Sequence, residues 1–332
     1  MIKYGILGAG WRAEFYLRIA ALCPDKFAVS GICARNPEKA KYISEKYSAN
    51  VVSTTQELLD LDFDFIVCCV NKASMIDVAA DLCQKGDPVL METPMGIDDE
   101  SQKRFFDRYD HQWRIQVAEQ FHLQPMNMAI KSIIDSGILG SIVSVRLSCC
   151  HDYHAASLIR YFLGTGEEIP SIETSKLTDQ VTKYNSRQGF LTPEIIDSDE
   201  KLKIFRFDGK TAIYDFESVQ YFSDIRSRQL TVRGTNGEIV NDRCTYLQDG
   251  LPVSFTLERQ ELGQNGNLDG LGLLRITGNG QELYRTPLPY ARLSDEETAV
   301  AACLLKMDEY LKTGKEFYSV QSAALDAKMF FE

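Results

Sequence analysis

The sequence predicts an α/β protein built on a parallel sheet, and three observations carry that prediction. Short apolar runs alternate with helix-period segments along the N-terminal part of the chain, and a glycine-rich turn separates the first run from the first helix. The length, 332 residues, exceeds the usual size of one compact core, so two domains are expected.

The elements follow in order. "IKYGILGAG" is an apolar run broken by glycine, and "WRAEFYLRIAALC" repeats Phe15, Ile19 and Leu22 at helical spacing. "FAVSGICAR" reads as a second strand, and "NPEKAKYISEKY" as a helix that tolerates Pro37 in its first turn. "FDFIVCCV", the helix-like "SMIDVAADLCQKG" and "PVLME" repeat the pattern. Strands joined through helices require right-handed crossovers, hence a parallel sheet covered on both faces.

Between the first strand and helix, Gly8, Gly10 and Ala13 match the G-x-G-x-x-G/A pattern of dinucleotide-binding, Rossmann-like units. Gly8 permits the turn, Gly10 lets the backbone approach a pyrophosphate, and Ala13 keeps helix and strand close. Trp11 and Arg12 open that helix, whose N-terminus offers N–H groups and a partial positive charge to a diphosphate. At the end of the second strand, NAD-preferring sites place an acid for the ribose 2′-hydroxyl; here Ala34 is followed by Arg35. A 2′-phosphate would meet a guanidinium there, and a unit-charge pair near 4 Å is worth up to about 4 kcal/mol at surface-like screening. The expected cofactor is NADP(H) in preference to NAD(H). The alternative is that Arg35 is a solvated residue at a helix entrance.

Composition narrows the function classes. A hydrophobic fraction of 44% and a charged fraction of 25% are those of an ordinary folded protein. A net charge of −11 without a dense basic run opposes a phosphate backbone, so nucleic acid is not an expected partner. No signal-like start and no apolar run of about 18 residues point to a cytoplasmic protein without a membrane segment. Nine cysteines, odd in number and scattered, suit reduced, buried thiols. In "CCHDYH", the spacing of Cys149, Cys150, His151 and His154 is too tight for a zinc site, and no metal is expected.

Four stretches resemble the Gfo/Idh/MocA family, the glucose-fructose oxidoreductase and inositol 2-dehydrogenase relatives. They are "GILGAGWRA", "LCQKGDPVLMETPMG", "QPMNMAIKSIIDSGILGSIVSV" and "HDYHAASLIRYFLG". The closing "LSDEETAVAACLLKMDEYLKTGKEFYSVQSAALDA" also looks like the family's last helices. The resemblance implies an NAD(P)-binding domain over residues 1–120 and a substrate-binding, dimerising α+β domain over 121–332 with a large, open, mostly antiparallel sheet. The runs "SIVSVRLSCC", "KLKIFRF", "TAIYDFESVQYF" and "RQLTVRGTNGEIVND" supply strands for it, with a hairpin signal at Asn236 and Gly237. The loops "LTDQVTKYNSRQGFLTPEIIDSDE" and "RQELGQNGNLDGLG" read as irregular.

The resemblance also implies roles. It makes "VLMETPMG" the fifth strand of the first domain, with Glu92 near the nicotinamide ribose, Val70 and Asn71 in the loop after the preceding strand, and Gln120 facing the carboxamide. The family's usual lysine after that glutamate is Thr93 here, and a threonine hydroxyl orients or relays but does not replace an ammonium near neutral pH. His154 matches the family histidine and is the acid/base candidate; its spacing with Leu158 and Phe162 equally suits a core histidine. Asp152 either polarises His154 or, the better fit, caps the helix; Tyr153 either donates a proton or packs. Glu119 and His122 add polar groups to the cleft wall. The expected activity is hydride transfer to or from a sugar, polyol or related hydroxy compound in a homodimer or homotetramer formed through the second sheet. Thr93 sustains the alternative of a cofactor-binding sensor or regulator.

Overall fold

The chain begins with β1 (Ile2–Leu7), α1 (Trp11–Leu22), β2 (Phe27–Cys33), α2 (Pro37–Tyr47), β3 (Val51–Val52), α3 (Thr55–Leu59), β4 (Phe65–Cys68), α4 (Met75–Gln84), β5 (Val89–Met91), α5 (Asp99–Phe106) and β6 (Ile115–Val117). The computed structural model describes residues 1–262 and 272–331. They divide into two compact units. One comprises Met1–Pro125, Gln260–Arg275 and Arg285–Glu332; the other comprises Met126–Arg259 and Ile276–Tyr284.

In the first unit the strands form one sheet of order β3-β2-β1-β4-β5-β6, parallel at every pairing. This is the doubly wound order in which ligands lie beyond the carboxyl ends of the strands. β4 and β5 are buried throughout, which their unbroken apolar sequences anticipate for strands covered on both faces. One face packs Ile66, Cys68, Val89 and Met91 against Ala79, Ala80 and Phe105. Local chemistry sets the helix starts. Asn36 accepts from Lys39 N at 3.0 Å with Pro37 in the first turn, and Asp98 and Ser101 close a capping box at α5. The two-residue β3, five-residue α3, α5 and three-residue β6 escaped the periodicity reading; elements this short hold too few residues to show a period.

The chain continues through α6 (Pro125–Asp135), β7 (Ile142–Ser148), α7 (Asp152–Leu163), β8 (Ser171–Ser186), β9 (Gly189–Phe207), β10 (Lys210–Glu217), β11 (Gln229–Gly234), β12 (Gly237–Val240), β13 (Arg243–Gln248) and β14 (Leu251–Thr256). These strands make an eight-stranded sheet of order β14-β13-β12-β11-β7-β10-β9-β8. Only β7 and β10 pair in parallel among its described pairs; the rest are antiparallel, as expected. The hairpin signal falls between β11 and β12, which pair Arg233 with Glu238.

One expectation is corrected. "LTDQVTKYNSRQGFLTPEIIDSDE" is not an irregular loop but the distal part of a long β8–β9 hairpin, in one register from Ser171↔Arg206 to Lys183↔Glu194 and, past an irregularity between Lys183 and Asn185, in a shifted one from Asn185↔Phe190 to Ser186↔Gly189. Its β-branched pairs, Val181↔Ile196 and Thr182↔Ile195, favour the ladder, while exposure of much of β8 on both faces removes the alternation that announces a half-buried strand. Of "RQELGQNGNLDGLG", residues 263–271 lie outside the described residues. The final elements are β15 (Glu258–Glu261), β16 (Leu273–Gly278), β17 (Gln281–Arg285), α8 (Asp295–Thr313) and α9 (Val320–Lys328). α8 starts at a Ser294–Glu297 capping box, and α9 adds Val320, Ala323 and Ala324 to the first unit's core.

Candidate functional site

The first unit holds a cavity of about 810 Å³ at the carboxyl ends of β1, β2 and β4. Its lining includes Gly8, Gly10, Arg35, Val70 and Asn71 from the sequence reading, together with Asn36, Lys39, Thr55 and Ser74, which that reading missed. The glycines do different work. Gly8 has φ +116°, and a Cβ there would lie 2.5 Å from Cys69 O, so side chains are excluded by backbone packing between β1 and β4. At Gly10 a Cβ would meet nothing within 4 Å; the position opens onto space at the start of α1, where no side chain caps the helix. A helix N-terminus facing open volume fits a diphosphate. Ala13 is fully buried, as a close helix–strand contact requires.

Arg35 is exposed on the cavity wall, while Lys39, a turn further on, lies 2.9 Å from Glu14 Oε1. Glu14 also takes bonds from Tyr42, Lys46 and Tyr47. Burial works against its charge, but these partners prevail and hold the carboxyl down at about 2. Ala34 is buried and Trp11 is 40% exposed; neither lines the cavity.

Glu92 and Thr93 stand just past the end of β5, which answers why an apolar strand finishes on polar residues: the rim of the sheet begins there. Glu92 is buried. Tyr16 donates to its Oε1 at 2.5 Å, Arg12 Nε lies 3.7 Å away, and Thr93 N–H donates to Oε2 at 3.3 Å. Burial pushes this carboxyl up, against the pull of Arg12, Tyr16 and Thr93. Arg12 is further held by Glu296 at 3.0 Å and lies over the Trp11 and Phe15 rings. Burial opposes the Arg12 charge, yet Glu92 and Glu296 overcome it and raise the pKa. With its amide oriented to satisfy both neighbours, Gln120 donates to Ala118 O at 3.0 Å and accepts from Arg12 Nη2 at 3.3 Å. Glu119, whose Oε1 accepts from Phe121 N–H at 2.9 Å, is pushed up to about 8 by burial. His122 is buried with its ring stacked on Tyr318, and burial drives its pKa down to about 3, so it stays neutral. Arg12, Glu92 and Gln120 thus form one polar cluster, with Glu92 and Gln120 buried and Arg12 partly so, legible in the sequence only as separate fragments.

In the second unit, α7 carries His154 at 3% exposure, with the buried Leu158 and Phe162 following on its stripe. The His154 ring lies 5.2 Å from that of His151 and 4.4 Å from that of Tyr153. The expected capping role of Asp152 is corrected: His151 is the N-cap and makes no side-chain cap bond, and Asp152 is the first helical residue, at φ +44°. A left-handed non-glycine residue is strained by about 1 kcal/mol or more. The Asp152 N–H donates to Tyr214 Oη at 3.3 Å and its Oδ1 stands 3.6 Å from Lys201 Nζ, so its side chain serves the sheet beside it instead of the helix start.

His151, Asp152, Lys201 and Tyr214 line a second cavity, of about 370 Å³, wholly within the second unit; Tyr153 and His154 are not among its lining residues. Strand register builds one wall: Lys201 faces Phe216 across β9 and β10, and Asp199 and Tyr214, two residues along, share the same face. Among the described residues, no group of three or more His, Cys, Asp or Glu is arranged to hold a metal ion. The nine cysteines are free thiols, and all but Cys149 are buried. No described helix is long and apolar enough to cross a membrane.

Comparison with known proteins adds the following. Residues 2–120 match the Gfo/Idh/MocA family model, described as an oxidoreductase family with an NAD-binding Rossmann fold. No curated protein sequence matches the chain. Among solved structures, levoglucosan dehydrogenase in complex with NADH and levoglucosan superposes with a TM-score of 0.67 at 18% identity, covering 98% of this chain and 95% of that one. An oxidoreductase from Agrobacterium radiobacter in complex with NAD+, L-tartaric acid and magnesium gives 0.66 at 15% identity, covering 99% and 93%. An oxidoreductase from Thermotoga maritima gives 0.62 at 16% identity, covering 98% and 93%. At these identities the structural likeness is one of fold.

Proposed function

Because residues 2–120 belong to the Gfo/Idh/MocA oxidoreductase family, we propose that the chain is an NADP(H)-preferring dehydrogenase or reductase acting on a sugar, polyol or related hydroxy compound. The observation that carries the reading is the 810 Å³ cavity at the strand ends, with the uncapped N-terminus of α1 at Gly10 and the Arg35 guanidinium on its wall. Gly8, Gly10, Val70 and Asn71 would hold the dinucleotide, and Arg35 would meet a 2′-phosphate. When bound, the nicotinamide supplies the hydride chemistry.

The protein's own part is the proton. His154 takes the hydroxyl proton as hydride leaves the carbon, or returns it in the reverse direction, and Thr93 orients the reacting oxygen through its hydroxyl. Tyr153, packed against His154, keeps that ring in place. The sugar-like substrate class is supported by the fold shared with a dehydrogenase solved with levoglucosan. Exposed apolar residues on the β8–β9 hairpin, among them Leu177 and Ile195, support assembly of two copies through the second sheet. Thr93 favours one second reading, a ligand sensor that binds cofactor without turnover.

The test is a fluorescence titration with NADPH and NADH on the wild type and Arg35→Ala, followed by an absorbance assay at the nicotinamide with sugars and polyols. Tight NADPH binding selectively weakened in Arg35→Ala, with substrate-dependent absorbance change, is the expected result. Binding without any absorbance change selects the sensor; no binding of either cofactor removes both readings.

A further inference from the structure

α1 carries two arginines that reach α8, and they are placed differently. Arg18 meets Glu297 at 2.7 Å with half of its side chain in water, at 49% exposure. Arg12 meets Glu296 at 3.0 Å, but its side chain is 19% exposed and its other nitrogens are committed as well. Nε lies 3.7 Å from Glu92 Oε1, Nη2 donates to Gln120 at 3.3 Å, and the Trp11 and Phe15 rings lie against the guanidinium at 5.0 and 4.7 Å. A planar fork fixed by three partners and two rings is not free to turn to a phosphate at the helix terminus. If a clasp between α1 and α8 were its whole purpose, the Arg18 pair would serve; the additional reach of Arg12 is to Glu92.

Glu92 is 4% exposed, just past the carboxyl end of β5. The groups facing it are Arg12 and Tyr16 of α1, Cys68 and Cys69 at the end of β4, Glu119 beyond β6 and Cys303 of α8. Of these, Arg12 is the cation. Burial drives the Glu92 carboxyl toward its neutral form, and Arg12 is the strongest group opposing that. Oε1 is taken by the Tyr16 hydroxyl at 2.5 Å; Oε2 takes the Thr93 N–H at 3.3 Å and, as a carboxylate oxygen, accepts a second bond. The 810 Å³ cavity spans the ends of β1, β2 and β4, with Arg35 on its wall. A dinucleotide crosses a doubly wound sheet at its switch point, so a ligand with its adenosine beside β2 lays its second nucleoside toward β4 and β5. The hydroxyls of that second ribose are donors. We propose that Arg12 is a positioning residue and not a diphosphate contact: it holds Glu92 as a charged, aimed acceptor for a hydroxyl of the nicotinamide ribose. The diphosphate is left to the backbone of the glycine turn and the start of α1. This rests on the NADP(H) reading.

The experiment is calorimetric titration of the full chain with NADPH and with adenosine 2′-phosphate 5′-diphosphate, which keeps the diphosphate and lacks the nicotinamide riboside. It uses the wild type, Arg12→Met, Arg12→Lys, the double variant Arg12→Met with Glu92→Gln, and Arg18→Met as the other clasp. Infrared spectra of the unliganded proteins at neutral pH read carboxylic-acid absorption. Expected for Arg12→Met are NADPH binding weakened roughly tenfold or more, unchanged binding of the truncated nucleotide, and a gain in carboxylic-acid absorption. Glu119, held near 8, contributes acid absorption of its own, so the gain is assigned by its disappearance when Glu92→Gln is added. Arg12→Lys keeps the charge and should recover most of the NADPH affinity without that gain, and Arg18→Met should match the wild type throughout. Thermal unfolding identifies a variant that fails to fold, and Arg12→Gln, which keeps donors without the charge, then takes the same measurements. Equal weakening of both nucleotides would make Arg12 a diphosphate contact, and a folded Arg12→Met without the infrared gain would show that Glu92 keeps its charge unaided. Either result, or wild-type NADPH affinity in Arg12→Met, overturns the inference and leaves the NADP(H) reading standing. Failure of the wild type to bind either nucleotide removes that reading, and the acceptor role with it.

Discussion

The turn between β1 and α1 and the start of α7 make an instructive pair, because both are strand-to-helix junctions bordering a cavity and they are built in opposite ways. At the first, Gly8 and Gly10 remove side chains, so that backbone packs on backbone and the helix terminus opens onto space. At the second, side chains crowd in: His151, Asp152, Tyr153 and His154 are consecutive, and Asp152 accepts an unfavourable backbone angle to present its carboxylate to Lys201. The first junction suits a ligand recognised by shape and charge through the backbone, the second one recognised by side-chain hydrogen bonds. Side-chain changes within the turn of the first junction that spare its glycines should leave dinucleotide binding intact; side-chain changes within the second should not be tolerated.

Four predictions sharpen or break this contrast, from the largest expected effect down. His154→Ala should lower kcat by roughly 10²–10⁴-fold while NADPH binding, followed by fluorescence, stays as in the wild type. Gly8→Val places a Cβ against Cys69 O at a backbone angle that β-branched residues avoid, so stability should fall by about 3 kcal/mol and cofactor affinity with it; denaturant unfolding and titration read both. Arg35→Ala should weaken NADPH by roughly tenfold and leave NADH nearly unaffected, since only the phosphate partner is removed. Equal loss for both cofactors would make Arg35 a general electrostatic contributor.

The smallest effect concerns the buried Glu119. Its carboxyl titrates at about 8 in the folded chain against an ordinary 4.5, with burial as the main cause. Below the lower value both states are protonated. As pH rises, the unfolded chain releases its proton first, so the stabilisation tied to the bound proton declines and is gone above the folded value. The Tm of the wild type should therefore fall relative to Glu119→Gln by several degrees between about pH 5 and about pH 9. A constant difference across that range would show that Glu119 is already ionised in the folded protein.

The same contrast separates what the sequence displays locally from what only the fold brings together. Gly8, Gly10 and Ala13 are neighbours in sequence and sit between a strand and a helix, so their meaning is carried by spacing alone. β1, β2, β4 and β5 were equally plain because buried parallel strands are written as apolar runs. The second cavity gathers residues from His151 to Phe222, and nothing local tells Lys201 that Phe216 will face it; only the β9–β10 register does. The β8–β9 hairpin was hidden for a related reason, as a strand exposed on both faces has no pattern to show. The cap role expected of Asp152 fails because helix-start preferences depend only on the helix, whereas this residue is also bound by Tyr214 and Lys201 of the adjoining sheet. Likewise, Arg12 and Glu92 lie in separate motifs, and their pairing appears only when α1 and the end of β5 are folded together.

The most direct measurement of the central claim is nicotinamide absorbance in the presence of NADP+ and a panel of sugars and polyols, for the wild type and His154→Ala side by side. The account predicts a substrate-dependent rise in the wild type that falls at least a hundredfold in the variant. An equal rate in the two proteins would contradict the proton role given to His154, and a wild type that binds NADPH but shows no absorbance change with any polyol would contradict the dehydrogenase itself.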